Sequence, residues 1–204
     1  VLSKIFSSIL DGFMKGNSFQ EPVCQQSLAI IDSTIEIYQK ISEELRATPA
    51  KFHYMFNLRD VSKVIQGILM SNSKSVQNPD SMQRLWTNEV SRVFGDRLIN
   101  TDDSKWFTDI VMDLLGRSFR SSLEFDDLFG ESKVIWSDIL KIDAAVRLYE
   151  EVKDMPKLMK VIKNYLEEFN ISSPVKMNLV FFEDAILHLM KILRALRQPR
   201  GNIM

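Results

Sequence analysis

Hydrophobic residues in the first part of the chain recur at intervals of three and four, which is the spacing of helices with one buried face. The first stripe ends at Gly16, a residue type that often closes helices. A longer stripe follows Pro22 and stops before Thr48, because a residue that precedes proline is disfavoured in the helical region. That longer stripe consists of Leu28, Ile31, Ile35, Tyr38, Ile41 and Leu45.

Three more amphipathic helices are predicted further along the chain. Asn57 can cap the first of them, with Asp60 in a first turn where the helix dipole favours a carboxylate. A polar loop at 71–78 separates it from a helix that starts at Pro79. The third of them has three candidate caps, which are Thr101, Asp102 and Asp103. Five consecutive amphipathic helices predict one helical domain over residues 1–120.

The pattern changes in residues 121–204, which we treat as a second part of the molecule. Residues 121–132 are polar and acidic without a clear period, so we predict a connector there. The tripeptide 134–136 has the composition of a short strand. Two further helical segments are predicted, with a restart at Pro156, from the stripe Leu148, Val152, Leu158, Val161, Ile162, Tyr165 and Leu166.

The end of the chain combines a turn, an apolar run and a last helix. Residues 170–174 are predicted to turn, and the apolar run 179–182 leads into a helix that ends before Pro199. The fold class predicted for the whole chain is therefore all-α. We find no internal repeat of fixed period, which argues against a solenoid.

Composition and charge exclude several classes of protein. The chain has 7 glycines and 6 prolines among 204 residues, about half the average usage of roughly 12%, so an all-β sandwich or a glycine-rich phosphate-binding core is not expected. A formal net charge of -1 argues against nucleic-acid or membrane-surface binding through bulk charge. Nothing approaches about 20 consecutive apolar residues, so no membrane span is expected.

Few side chains could support metal or nucleophilic chemistry. Cys24 is the one cysteine, which excludes a disulfide framework and fits a reducing compartment. His53 and His188 lack a second histidine or cysteine at ligand spacing, so we predict no metal site and interpret His53 as a half-buried residue of an aromatic stretch. No Gly-x-Ser-x-Gly motif or phosphate loop is present.

The charged clusters have ordinary structural interpretations. Acidic doublets occur at 43–44, 150–151 and 167–168. Adjacent side chains on a helix diverge by about 100°, so the two carboxylates of a doublet do not converge on one substrate, and we predict solvated helix faces. Glu183 and Asp184 follow an apolar run but are interpreted as carboxylates of a first helical turn rather than as magnesium ligands. A basic row recurs every three residues, and it is either a solvated face or a contact for phosphate or an acidic neighbour: Lys191, Arg194, Arg197 and Arg200.

Both ends of the sequence lie in the middle of a pattern. The chain begins without methionine, and residues 201–204 turn apolar as if they entered a strand. We therefore expect the sequence to be a piece of a larger polypeptide.

Three stretches together resemble the dynein heavy chain family, the ring-shaped AAA+ motors of microtubules. Residues 48–68 are similar to the lid of the third AAA+ module. They include the motif Asn57-Leu58-Arg59-Asp60, which is typical of axonemal members. Residues 84–98 are similar to the following lid helix, and residues 178–202 to the stretch directly before the phosphate loop of the fourth module. The order and spacing of the stretches also fit, and the resemblance covers nearly the whole chain.

The resemblance implies roles for two sets of residues. Arg59 matches the lid arginine that AAA+ proteins use as sensor 2, which reaches the phosphates of the same module's nucleotide; a surface charge is the alternative. The residues Leu179, Val180, Phe181 and Phe182 match a segment that packs near the adenine of the following module. Burial in the core is equally compatible with their composition.

The resemblance also implies cofactors, partners and location, all belonging to an intact motor. It implies ATP or ADP with Mg²⁺, neighbouring AAA+ modules of the same chain, microtubules, and dynein intermediate and light chains. It implies no nucleic acid and no membrane, and it points to cytoplasm and cytoskeleton, in particular a ciliary or flagellar axoneme. No residue matches the family's phosphate-loop lysine, magnesium-binding acidic pair or arginine finger, so we do not expect this segment to hydrolyse ATP alone.

A second hypothesis belongs to a different class of protein, namely a non-enzymatic helical scaffold that binds partner helices in an amphipathic groove. The sequence beyond Met204 discriminates between the two: we expect a phosphate loop within about ten residues for the motor.

Overall fold

A computed structural model describes residues 2–130, 134–140, 147–198 and 201 of the chain. The chain divides into two compact units, Val1–Val134 and Ile135–Met204. Most of the described residues are helical, which confirms the predicted all-α class. No helix in the described ranges is long and apolar enough to cross a bilayer.

The first unit is built from helices joined by short connections. Two single turns of 3₁₀ helix, Pro49–Lys51 and Gly95–Arg97, lie in these connections. The helices are α1 (Leu2–Gly16), α2 (Glu21–Cys24), α3 (Ser27–Glu44), α4 (Leu58–Ile68), α5 (Pro79–Val93), α6 (Thr101–Phe119) and α7 (Phe125–Phe129).

Part of the core of the first unit lies where α3, α5 and α6 meet. Trp86 of α5 is fully buried, and its indole Nε1 donates to Thr34 Oγ1 of α3 at 2.9 Å. Its ring centroid lies 4.9 Å from that of Phe119 at the end of α6. Burial of an indole with its N–H satisfied fixes these three helices against one another.

The long stripe lies on α3, whereas Pro22 belongs to the separate short helix α2. α2 ends at Cys24 and α3 begins at Ser27. The Gln26 N–H donates to Val23 O, three residues back, at 3.1 Å, so the chain tightens between the two helices.

The cap predicted for α4 is confirmed, and α5 starts at Pro79 as predicted. Asn57 and Asp60 form a capping box at α4, and Asn78 accepts from the Ser81 N–H at α5. At α6 the predicted caps are wrong, because the extended residue Asn100 occupies the cap position. The acidic residues after it lie inside the first helical turn.

The predicted connector also contains a helix. α7 begins with a second capping box. The Asp127 side chain accepts the backbone N–H of Glu124 at 2.9 Å, and the Glu124 side chain accepts the backbone N–H of Asp127. Leu128 of α7 is buried. A helix of five residues is too short to show a hydrophobic period, which is why the sequence pattern did not indicate it.

The second unit combines two short strands with two long helices. Strand β1 (Trp136–Ser137) pairs antiparallel with β2 (Glu150–Glu151), and the helices are α8 (Met155–Ser172) and α9 (Glu183–Leu196). Its core contains Ile135, Ile139, Val152, Leu158, Val161, Ile162, Ile186 and Met190.

Several predicted boundaries in the second unit need correction. The strand predicted at 134–136 overlaps the observed strand only at Trp136, because β1 covers Trp136–Ser137. The helix predicted through Leu148 and Val152 is wrong, because the Val152 N–H donates to Ile135 O at 2.8 Å beside β2. The turn predicted from Asn170 starts only at Ser173, because α8 continues to Ser172.

Candidate functional site

Arg59 lies in the first turn of α4, one residue after the helix begins. Its backbone N–H donates to Asn57 Oδ1 at 2.9 Å, while its side chain is exposed. Within the described ranges its guanidinium has no hydrogen-bond or ion-pair partner. The helix start therefore presents a fixed backbone and an available cation.

The neighbouring Asp60 has the opposite environment. Its side chain is fully buried, and Arg97 donates to it through two nitrogens, Nη2 to Oδ1 at 2.6 Å and Nη1 to Oδ2 at 3.1 Å. The Asn57 N–H donates to Oδ2 at 3.0 Å, and Lys63 Nζ to Oδ1 at 3.2 Å. Such forked, charge-assisted bonds are the strong ones in proteins.

Burial and pairing act on the Asp60 carboxyl in opposite directions. Burial alone raises its pKa, because it disfavours the charged form. The bonds from Arg97, the Asn57 N–H and Lys63 outweigh burial, so the pKa of Asp60 lies below its ordinary value. Asp60 is therefore a carboxylate whose charge is compensated by Arg97 and Lys63.

Arg97 also holds the segment that leads into α4. Its Nη1 donates to Met55 O at 3.1 Å, and its guanidinium carbon lies 5.4 Å from the Phe56 ring centroid. Its own carbonyl oxygen lies 3.1 Å from His53 Nε2, a contact that needs the proton on Nε2. One arginine from the connection between α5 and α6 thus fixes the chain from His53 to Asp60.

A second cluster fixes the same segment to the start of α6. Lys51 and Tyr54 both donate to Asp103 Oδ2, and the Tyr54 hydroxyl accepts from the Ile99 N–H at 3.0 Å. The bond from Lys51 is the main cause that lowers the pKa of Asp103, and burial is the main cause that raises the pKa of Tyr54. Asp103, in the first turn of α6, is thus held by Lys51 and Tyr54 from the segment before α4.

Three apolar side chains near Arg59 in sequence are exposed. Phe52 is 72% exposed, Met55 68% and Leu58 43%. The segment thus has a polar side held by Arg97 and Asp103 and an apolar side open to solvent. That combination is typical of a surface that contacts another part of a protein.

The run 179–182 lies outside the helices and strands and is mostly exposed. Leu179, Val180 and Phe182 are 53%, 86% and 61% exposed, and only Phe181 packs against the core of the second unit. Core burial, the alternative for this run, is therefore wrong for three of its four residues. Glu183 and Asp184 lie in the first turn of α9, as predicted.

The other candidate residues have structural surroundings. His53 is half-buried, as predicted. The solvated face proposed for the basic row is wrong for Arg194, which is buried, and Arg197 pairs with Asp138 at 3.0 Å. Arg200 lies outside the described residues. In the described ranges there is no group of three or more His, Cys, Asp or Glu side chains that could hold a metal ion.

The acidic doublets divide into two kinds. Those at 43–44 and 167–168 lie on helices and are exposed, as predicted. Glu150 and Glu151 form β2 and are half-buried, so the prediction of a solvated helical face is wrong there.

Sequence reasoning did not identify Arg97 or Asp103 as residues that build the site. Arg97 is 37 residues from Asp60, and Asp103 is 52 residues from Lys51. Neither spacing has a local period, so only the tertiary fold reveals the pairs. The only local signal in this region was the position of Asp60 three residues after Asn57, where a carboxylate can accept the backbone N–H of the cap residue.

The helical first unit, with a fixed segment that presents an exposed arginine at a helix start, has the features of a small helical lid. The chain belongs to the AAA+ lid domain family, whose model matches residues 30–131. It is 39% identical to dynein axonemal heavy chain 6 of Homo sapiens over 98% of its own length. It is also 37% identical to dynein axonemal heavy chain 1 of Mus musculus over 98% of its own length. With dynein axonemal heavy chain 3 of Homo sapiens the identity is 36% over 100% of its own length.

The chain spans about 5% of the length of each of these three relatives. The resemblance to the axonemal dynein heavy chains is thus confirmed at the level of the family. The position among the AAA+ modules stays a prediction.

Proposed function

We propose that the chain is the lid and connector of one AAA+ module in an ATP-driven microtubule motor of the dynein heavy chain type. Residues 1–120 would form the lid of the third module. Residues 121–204 would form the connector and the leading elements of the fourth module, ending before its phosphate loop. Similarity to axonemal heavy chains over nearly the whole length, together with the AAA+ lid match at 30–131, supports this assignment.

The exposed guanidinium of Arg59 is the observation that carries the proposal. An arginine has five donors in a planar fork and remains charged at all relevant pH values, so it suits a phosphate group. Since Asp60 is already compensated by Arg97 and Lys63, it does not neutralise its neighbour. An anion bound by Arg59 would also lie at the positive end of the α4 dipole.

In the intact motor, Arg59 would contact the phosphates of the nucleotide held by the large part of the same module. The contact would change when the terminal phosphate leaves, because its charge and acceptor oxygens are lost with it. The fixed base of α4 would pass the change to the rest of the lid as a hinge motion. ATP or ADP with Mg²⁺ would be supplied by the intact motor, and the segment alone would not hydrolyse ATP.

The exposed run 179–182 would pack near the adenine of the following module. Its partners in the same chain would be the neighbouring AAA+ modules. Microtubules and the dynein intermediate and light chains would be partners of the whole motor, in the cytoskeleton of an axoneme. Exposure of three apolar side chains in this run supports a role in contact rather than in the core of the second unit.

Replacement of Arg59 by alanine in the intact heavy chain tests the proposed function. We expect Arg59→Ala to weaken the binding of a fluorescent ATP analogue by the lid's own module about tenfold or more, because a charge-assisted bond is lost. The 204-residue chain should keep its melting temperature. Arg46→Ala is the matched control, since Arg46 is also exposed but lies at the end of α3.

Two outcomes would contradict the proposal. If Arg59→Ala and Arg46→Ala bind the nucleotide equally well, Arg59 does not sense it. If Arg59→Ala instead lowers the melting temperature of the chain by several degrees, the residue is structural.

A further inference from the structure

The buried pair of Arg97 and Asp60 has a geometry that goes beyond stability. Arg97 belongs to the connection between α5 and α6, whereas Asp60 follows Arg59 directly in the first turn of α4. The two guanidinium nitrogens hold the two carboxylate oxygens separately. A forked contact of this kind fixes orientation as well as distance.

The contacts of Asp60 reach the backbone on which Arg59 is mounted. Its Oδ2 accepts the Asn57 N–H, and Asn57 Oδ1 in turn accepts the Arg59 N–H. Arg97 adds a bond to Met55 O just before this turn. The direction in which the Arg59 side chain leaves the helix is therefore set by a chain of bonds that begins at Arg97.

We propose that Arg97 is a positioning residue for nucleotide sensing: its fork on Asp60 orients the first turn of α4 so that Arg59 can reach a phosphate. The inference rests on the proposed function of Arg59. Lysine cannot replace Arg97 fully, because an ammonium group is a point donor and cannot hold both carboxylate oxygens in the same plane.

A matched control exists within the same unit. Arg92 pairs with the fully buried Glu89 through Nε and Nη2, at 3.1 and 2.9 Å, and its Nη2 also donates to Lys63 O of α4 at 3.3 Å. It resembles Arg97 in pairing a buried carboxylate and in touching α4. It differs in contacting α4 one turn beyond Arg59.

The first arm of the test uses the 204-residue chain and amide hydrogen exchange. In Arg97→Gln, the amides of Asn57 and Arg59 should exchange about tenfold faster, because their acceptors are no longer held in place. Arg97→Lys should give an intermediate rate, and Arg92→Gln should leave these two amides unchanged. Equal exchange in Arg97→Gln and the unmodified chain would overturn the inference.

The second arm measures the binding of a fluorescent ATP analogue by the intact heavy chain in a double-mutant cycle. Arg97→Gln should weaken binding about tenfold alone and less than about twofold when Arg59 is already alanine, since both changes remove the same contact. Arg97→Lys should restore part of the affinity. In contrast, Arg92→Gln should change the affinity by the same factor whether residue 59 is arginine or alanine, so its fold-change and that of Arg59→Ala should multiply.

The outcomes separate the inference from the proposed function. If Arg59→Ala has no effect on binding, the proposed function fails, whatever Arg97 does. If Arg59→Ala weakens binding but the effect of Arg97→Gln multiplies with it, only the positioning role is overturned.

Discussion

Asp60 shows how a buried charge is accommodated at the start of a helix. Removing a carboxylate from water costs several kcal/mol unless other groups compensate it. Here Arg97 provides two bonds, Lys63 a third and the Asn57 N–H a fourth. The carboxylate is therefore charged, satisfied and tied to two segments that are far apart in sequence.

The stability that Asp60 provides should depend on pH. Because its pKa in the folded chain lies below the ordinary value of 3.8, the contribution is present above that value and is lost as the pH falls through the folded pKa. We expect Asp60→Asn to lower the free energy of unfolding by about 2 kcal/mol at pH 7. The difference from the unmodified chain should shrink below about pH 4, as measured by urea denaturation at several pH values.

Asp113→Asn provides the control for this prediction. Asp113 is 59% exposed and pairs with Arg117 at 3.3 Å on the surface of α6. Exposed pairs contribute about 0–1 kcal/mol, so a small change is expected. A loss in Asp60→Asn that is no larger than in Asp113→Asn, or that persists unchanged in acid, would contradict the assigned role of Asp60.

At the scale of elements, α4 and α6 begin with the same residue type but in different ways. Asn57 accepts a backbone N–H through its side chain and takes part in a capping box, whereas Asn100 occupies the cap position of α6 without such a bond. The segment before α4 is also held by Arg97, through Met55 O and Asp60. The side chain at a cap position thus does not by itself determine whether a cap forms.

Replacing each asparagine by alanine tests this distinction. Asn57→Ala should lower the free energy of unfolding by about 1 kcal/mol, because a capping bond and its partner in the box are lost. Asn100→Ala should change it by only a few tenths of a kcal/mol, since no side-chain bond is removed. Urea denaturation of both variants provides the measurement, and equal losses would show that the capping box at α4 is not stabilising.

Local signals in the sequence predicted the elements better than the contacts between them. The cap at Asn57, the start at Pro79 and the stripes of α3 to α6 depend on neighbours a few residues away, so periodicity and capping chemistry indicated them. The helix α7 and the strand β2 are too short for a period and depend on packing. Arg59 was proposed through family resemblance, whereas Arg97 and its fork depend on contacts across 37 residues.

At the scale of the whole molecule, the second unit leaves a run of apolar side chains open to solvent. The second unit buries Leu158 and Ile186 completely but leaves much of the segment between α8 and α9 exposed. Most apolar side chains of a stable unit are expected inside, and a run such as 179–182 is therefore a candidate contact surface. The family similarity provides the context, in which the following module would cover this run.

The last prediction separates contact from folding by comparing two exposed residues. Val180 and Ile171 are both 86% exposed, but only Val180 belongs to the run 179–182. Replacement of either by serine should change the free energy of unfolding of the chain by less than about 0.5 kcal/mol, because little buried surface is lost. In the intact heavy chain, Val180→Ser should weaken nucleotide binding by the following module about fivefold, which corresponds to about 1 kcal/mol of apolar contact.

Titration of a fluorescent ATP analogue measures this effect, with Ile171→Ser as the control that should leave the affinity unchanged. If both variants bind the nucleotide as tightly as the unmodified heavy chain, the run 179–182 does not contribute to the adenine side of the following module. A large loss of stability in Val180→Ser would show instead that the residue is part of the core, contrary to its exposure. Reduced affinity in both variants would mean that the exposed surface acts as a whole, rather than through the four residues that the family resemblance identifies.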